Sequence, residues 1–194
     1  VGGWRMINKK LFNEIPSSDI RKGWWLDANK KSKNLNEAQA AQAVKYGCPA
    51  YTQMKYGPYQ GVMAQSTNAS DIPLMRVEEM YLILAEAQAM GESPAKGAAT
   101  LQKFVNDYRD PEYVCVASNA AAVQDEVWHQ RRIELWGEGL SYFDIQRLNK
   151  GIDRRGAGFP ASYVFNIQAG DNTLIYRIPE SEEQANSLIS STDN

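Results

Sequence analysis

"LMRVEEMYLILAEAQAMGESPAKGAATLQKFVNDYRD" runs from Leu74 to Asp110, and its reading decides the fold class. Val77, Met80, Tyr81, Leu84, Ala85, Ala87 and Gln88 recur at helical spacing, which predicts an amphipathic helix. Gly91 stands where a glycine would close it. Ser93 followed by Pro94 is an N-cap with a proline at the first helical position. Ala98, Leu101, Val105 and Tyr108 then mark one face of a second helix. Two helices joined by so short a turn must pack antiparallel. Ala85, Ala87, Ala95, Ala98 and Ala99 are small enough for close backbone approach. A pair of this length and composition is like one tetratricopeptide unit, and no second copy follows it in this sequence.

Around this hairpin the chain is organised simply. Residues 1–75 are rich in proline, glycine, asparagine and serine, with one short helix expected from Asn36 to Tyr46 and closed by Gly47. The helix pair occupies 76–109. A third, long helix is expected over 119–150, starting at Asn119 or Ala120 and carrying Val123, Val127, Ile133 and Leu135. Residues 151–194 read as a loop, a small β-hairpin from "YVFNI" and "LIYRIP", and a terminal helical turn capped by Ser181. The architecture is mainly α with extended loops.

Composition removes several classes of function. Of 194 residues, 43% are hydrophobic and 23% charged, and the net charge of −2 provides no basic field for a nucleic-acid backbone. No apolar run reaches the ~20 residues of a membrane span. The first residues, "VGGWRMINKK", have neither a starting methionine nor an apolar signal core, so a mature chain or a piece of a longer one is expected. Cys48 and Cys115 have no second cysteine or histidine close in sequence, which argues against zinc and leaves a disulfide or two free thiols open. His129 is the single histidine, read as an ordinary helix residue. No metal and no cofactor is expected.

The chemistry-bearing stretch is "RRIELWGEGLSYFDIQRL", Arg131 to Leu148. Glu134 and Glu138 on one continuous helix would lie one turn apart, a spacing that would suit the two carboxylates of a retaining glycosidase. Against this, Arg131 precedes Glu134 by three residues, Glu138 precedes Tyr142 by four, and Asp144 precedes Arg147 by three. Such pairs hold one another along a helix or brace neighbouring loops. No nucleophile–base pair or phosphate loop accompanies them. The stretch is read as scaffold, not as an active site.

Taken in order, "IRKGWW", "PLMRVEEMYLILAEA", "RRIELWGEGLSYFDIQRL" and "RIPESEEQAN" resemble the C-terminal half of the SusD/RagB family of outer-membrane nutrient-binding lipoproteins. The matching positions are Arg76, Glu79 and Ala85–Glu86–Ala87, then Arg131, Arg132, Glu134, Leu135, Glu138, Gly139, Asp144 and Arg147, and finally Ile178, Pro179, Glu182 and Asn186. One departure is Ser141, where a basic residue often follows the Glu-Gly pair. It puts one local ion pair in question. The resemblance implies a non-enzymatic, glycan- or nutrient-binding protein at the cell surface of a Gram-negative outer membrane. It implies a TonB-dependent transporter of the SusC type as partner, a lipid anchor outside this chain, and further tetratricopeptide-like units in an N-terminal half. The competing readings are a helical-repeat protein-interaction scaffold with no small ligand of its own, and a glycoside hydrolase.

Sugar rings present flat C–H faces that stack on indole or phenol. The aromatics of the poorly periodic segments, Trp4, Trp24, Trp25 and Tyr59, are therefore the candidate carbohydrate contacts, and Trp128 and Trp136 are assigned to the core. Arg131, Glu134, Glu138, Asp144 and Arg147 are the candidate structural motif.

Overall fold

Periodicity places most of the helices of the computed structural model, which describes residues 4–63 and 69–190, with Tyr59 represented by its backbone. Among these residues the helices are α1 (Lys9–Glu14), α2 (Glu37–Lys45), α3 (Val77–Gly91), α4 (Pro94–Tyr108), α5 (Ala120–Glu134), α6 (Ser141–Arg147) and α7 (Glu180–Ala185). Caps set several of the boundaries. Asn36 and Gln39 form a reciprocal capping box at α2, and Gly47 takes a positive φ of 63° just past its end. Ser93 accepts a hydrogen bond from the Lys96 amide, with Pro94 opening α4. Asn119 caps α5 through the Ala122 amide. The mainly helical class expected from the sequence is the class observed.

The chain divides into two compact units. The first comprises residues 1–141 with 156–158, and the second 142–155 with 159–194. In the first, α3, α4 and α5 pack around Leu82, Ala85, Ala89, Leu101, Phe104, Val105, Val123, Val127 and Leu135. The closest approach of α3 and α4 falls at Gly97, where a Cβ would lie 2.5 Å from both the Ala85 carbonyl and the Ala89 Cβ. Only glycine lets the two backbones meet there. Ala85 is buried and Ala98 packs at the core's margin, whereas Ala87, Ala95 and Ala99 face solvent. Close packing thus runs through Gly97 and Ala89, not through every alanine of the hairpin.

The loop-rich segment before α3 has its own core. Ile7, Leu11, Phe12, Ile15 and Trp25 cluster with Ile133 of α5, so α5 faces both cores. Extended pieces are stitched by isolated antiparallel bridges, Met6 with Thr52 and Trp25 with Gln53. Side chains then fasten the loops to backbone carbonyls. The Lys22 ammonium donates to the Ile15 carbonyl at 2.5 Å, and Lys33 donates to the carbonyls of Ser17 and Asp19 at 2.9 Å each.

The second unit departs from expectation. The "YVFNI" and "LIYRIP" segments do not pair as a hairpin. Ile167 instead forms a single bridge with Ile152, and 3-10 turns occupy Ala161–Tyr163 and Asn172–Leu174. Gly151 explains the alternative partner, because a Cβ there would lie 2.5 Å from the Ile167 carbonyl. The Arg154 guanidinium lies over the rings of Phe165, in "YVFNI", and of Phe159 before it, 4.1 and 5.1 Å from their centroids, so Phe165 is held by cation–π contact, not by a ladder. Helix α7 is preceded by Pro179, and Ser181 lies inside it instead of capping it.

Three further corrections concern the helices. The long helix expected over 119–150 is two, α5 and α6, separated at Gly137 and Gly139 with φ of 80° and 82°. A residue with a side chain is strained at such angles, so the chain leaves the helix there. Gly91 is the last residue of α3 and not a left-handed cap beyond it. The buried face of α3 is Leu82, Ala85, Glu86 and Ala89, whereas Val77, Met80 and Leu84 are exposed. Both sides of α3 are apolar, so periodicity alone picks out the wrong one.

Candidate functional site

The arrangement at the end of α5 is built around one carboxylate. Glu134, the last residue of the helix, has no solvent exposure. Arg109, just past α4, grips it with two bonds: its Nε donates to Oε2 at 2.8 Å and its Nη2 to Oε1 at 2.9 Å. The two-pronged geometry matches the fork of a guanidinium to the two carboxylate oxygens. Arg76, at the start of α3, also donates to Oε1. Arg21, wholly buried in the loop-rich segment, approaches Oε2 at 3.4 Å and is itself held by Asp19 at 2.7 Å and by the Gln130 side chain at 2.6 Å.

Glu138 continues the cluster from the glycine turn. It accepts from Lys55 Nζ at 2.5 Å and lies 3.3 Å from Arg76. Lys55 also donates to the carbonyls of Glu134 at 2.7 Å and Trp136 at 3.0 Å, so all three ammonium protons are used. Glu78 meets Arg109 at 2.9 Å and Arg76 at 3.6 Å. The cluster therefore joins Asp19, Glu78, Glu134 and Glu138 to Arg21, Lys55, Arg76 and Arg109, four charges of each sign. A buried ion set of this kind is tolerable only when it is balanced and hydrogen-bonded.

The electrostatics decide what the glutamates can do. Burial by itself would raise the Glu134 carboxyl, but hydrogen bonds and charge from Arg109, followed by Arg21 and Arg76, outweigh it and hold the group below its ordinary value. It stays ionised and sealed from solvent, so it has neither a proton to give nor a path to a substrate. Because α5 ends at Glu134, Glu138 lies in a turn and the two carboxylates do not share one helix. This geometry does not fit the acid–base pair of a glycosidase. Elsewhere in the motif, Arg131 reaches Glu79 of α3 at 3.5 Å, and Arg147 binds Asp144 at 2.9 Å within the second unit.

The candidate carbohydrate contacts separate clearly. Trp4 is exposed, at 44%. Trp24 is half-buried, with the Lys55 ammonium 5.1 Å and the Arg109 guanidinium 5.7 Å from its ring centroid. Trp25 has 0% exposure and packs edge-on against Trp136 at 5.7 Å. It is a core residue, and its place in a glycine-bearing loop segment misleads because that segment folds inward. The side chain of Tyr59 lies outside the described residues.

Sequence reading missed Tyr56. Its hydroxyl donates to the Trp136 carbonyl at 3.2 Å, and Lys55 sits 5.1 Å from its ring centroid. Burial, then the Glu138 carboxylate, pushes its phenol up to about 12. A cavity of about 230 Å³ opens beside Phe12, Lys22, Trp25, Lys31 and Lys33, smaller than the ~300–1,000 Å³ of most small-ligand pockets. Both cysteines are free thiols, Cys48 buried and Cys115 partly so. His129 sits in α5 with its Nδ1 3.7 Å from Glu14.

With this geometry in place, comparison with known proteins is direct. The model of the SusD family matches residues 21–188. The chain belongs to the SusD family. Among solved structures, a SusD-like carbohydrate-binding protein of Bacteroides vulgatus shares the fold with a TM-score of 0.65 and 22% sequence identity, the match covering 94% of this chain and 40% of that one. A SusD superfamily protein of Bacteroides thetaiotaomicron matches with a TM-score of 0.66 and 26% identity, covering 93% of this chain and 38% of that one. The chain thus spans about two-fifths of the length of these SusD relatives. No curated protein matches it.

Proposed function

We propose that this protein is a non-catalytic glycan-binding component of an outer-membrane uptake system, lipid-anchored at the cell surface and working with a SusC-like TonB-dependent transporter. SusD-family membership over residues 21–188 is the observation that carries this reading. The fold shared with a SusD-like carbohydrate-binding protein supports it. The ion cluster is consistent with it, since the carboxylates most like a catalytic pair are committed to arginines and a lysine.

Contacts to sugar fall to the loop aromatics Trp4, which is exposed, and Trp24, which is half-buried, with Tyr59 as a further candidate. An indole offers a flat apolar face for a pyranose ring together with an N–H donor for a hydroxyl. Arg131, Glu134, Glu138, Asp144 and Arg147 act as structure. Calorimetric titration of soluble polysaccharides into wild type and into Trp4→Ala, Trp24→Ala and Tyr59→Ala tests both parts. Binding without product release, weakened in at least one variant, is the expected result. Absence of binding across the panel would count against glycan recognition. Release of shortened sugars would overturn the non-catalytic reading. Strong binding untouched by all three changes would move the contacts elsewhere.

A further inference from the structure

Charge is divided unevenly along the chain. Residues 1–60 carry ten lysines and arginines against four acidic residues, a net +6, in a chain whose total is −2. The cavity of about 230 Å³ lies within this basic stretch. Its lining includes two buried aromatics, Phe12 and Trp25. Three lysines, Lys22, Lys31 and Lys33, share it with one carboxylate, Asp27. Asp27 is committed elsewhere: its Oδ1 accepts from the backbone amides of Asn29 and Lys31 at 2.8 Å each. The ammonium groups, by contrast, keep protons to spare. Lys22 donates to the carbonyls of Ile15 and Phe12, and Lys33 to those of Ser17 and Asp19. An ammonium has three protons, so one remains on each. Lys31 is exposed, and its ammonium has no partner among the described residues. Burial, then the Lys33 ammonium, hold Lys22 below its ordinary value, offset only in part by Asp19, which is itself paired with Arg21. Trp25 is wholly buried, and its indole N–H has no hydrogen-bond partner among the described residues. A buried donor left unpaired is costly unless a water or a ligand satisfies it.

We infer that this cavity is a subsite for an anionic sugar, a pyranose ring that carries a carboxylate or a sulfate ester. The inference rests on the glycan-binding reading above and narrows it to acidic glycans. Phe12 and Trp25 supply apolar walls for the C–H faces of a ring. A concave site lined by ammonium groups of one sign focuses a positive potential into which an anion is drawn. A few polar groups on an apolar lining are what fixes the orientation of a small ligand. The volume suits one sugar residue, not a chain. Trp24, assigned above as a sugar contact, adjoins the site: its ring centroid lies 6.0 Å from that of Trp25. Neutral glycans would leave the lysines without a counter-ion, so the acidic group decides the preference.

Calorimetric titration at fixed ionic strength tests the inference. Oligosaccharides of polygalacturonate and of hyaluronan present the carboxylate, and those of dextran sulfate the sulfate ester. Methyl-esterified polygalacturonate, dextran and starch oligosaccharides are the neutral counterparts, and a short single-stranded DNA is the polyanion without pyranose rings. The proteins are wild type, Lys31→Glu and Lys10→Glu. Lys31 has no side-chain bond to lose, and Lys10 makes the same change of charge on the exposed side of α1, away from the cavity lining. At least one acidic set is expected to bind about tenfold more tightly than the neutral ones, and which set does so identifies the anion. Lys31→Glu should weaken that binding roughly tenfold and Lys10→Glu by under about twofold. Neutral glycans bound as tightly as acidic ones would overturn the inference and leave the glycan-binding reading standing. Equal losses in the two variants, or DNA bound as tightly as the acidic sugars, would show a diffuse basic surface and overturn it as well. No binding by any glycan would overturn both.

Discussion

The α3–α4 hairpin and the loop-rich segment before it are stabilised in different ways. The hairpin is held by repetition: apolar residues at helical spacing, a capping serine and a glycine at the crossing point. The segment from Trp4 to Met63 has only short helices and isolated bridges. It is held by individual side chains, Arg21 and Lys55 above all, that reach acceptors on or near α5. Regular structure satisfies its own backbone, so its stability is spread over many small contacts. Irregular structure must borrow partners, so its stability is concentrated in a few polar groups whose loss leaves buried charge behind.

The largest effect should come from breaking one of those borrowed partners. Lys55→Met removes the ammonium from two carbonyls and from Glu138, and is expected to destabilise by about 3–5 kcal/mol, the usual cost of orphaning a buried charge. Equilibrium denaturation checks this, and a change within error would mean that the loops are held otherwise. On the hairpin side, Gly97→Ala adds one methyl where the α3 backbone leaves no room. Overpacking of this kind should cost about 1–3 kcal/mol. An unaltered denaturation midpoint would show that the helices separate without penalty. The contrast is sharpest in size for size: a single methyl on the regular side against a single charge on the irregular side.

This division also explains what was legible in the sequence. Helices α2 to α4 and the start of α5 follow from spacing and end signals, because these are local: Gly47 after α2, Ser93 with Pro94, and Asn119. The inner face of α3 was not legible, since a helix apolar on both sides has no preferred direction until its partners are known. The break after Glu134 turns on the left-handed conformation of Gly137 and Gly139, which helical periodicity passes over. The motif residues were recognised, but not the partners of Glu134. Arg21 lies 113 residues from Glu134 and Arg109 lies 25 away, distances at which no helical spacing rule applies. Trp25 was placed on the surface for the same reason. Its burial depends largely on α1 and on Ile133, distant in the chain.

The central claim is that Glu134 joins the two kinds of structure. Hydrogen exchange of wild type and Glu134→Gln tests it most directly, followed residue by residue at neutral pH and at progressively lower pH. Because the folded carboxyl is held below its ordinary 4.5, the stability it contributes is fully present above that value and is lost as pH falls through the depressed folded one. At neutral pH the variant is expected to lose amide protection at Arg21–Leu26 and Tyr51–Met54 while α3 and α4 keep theirs, and the difference from wild type should close as the pH drops below the ordinary carboxylate range. Equal protection in both proteins at neutral pH, or a loss confined to α3 and α4, would contradict the account.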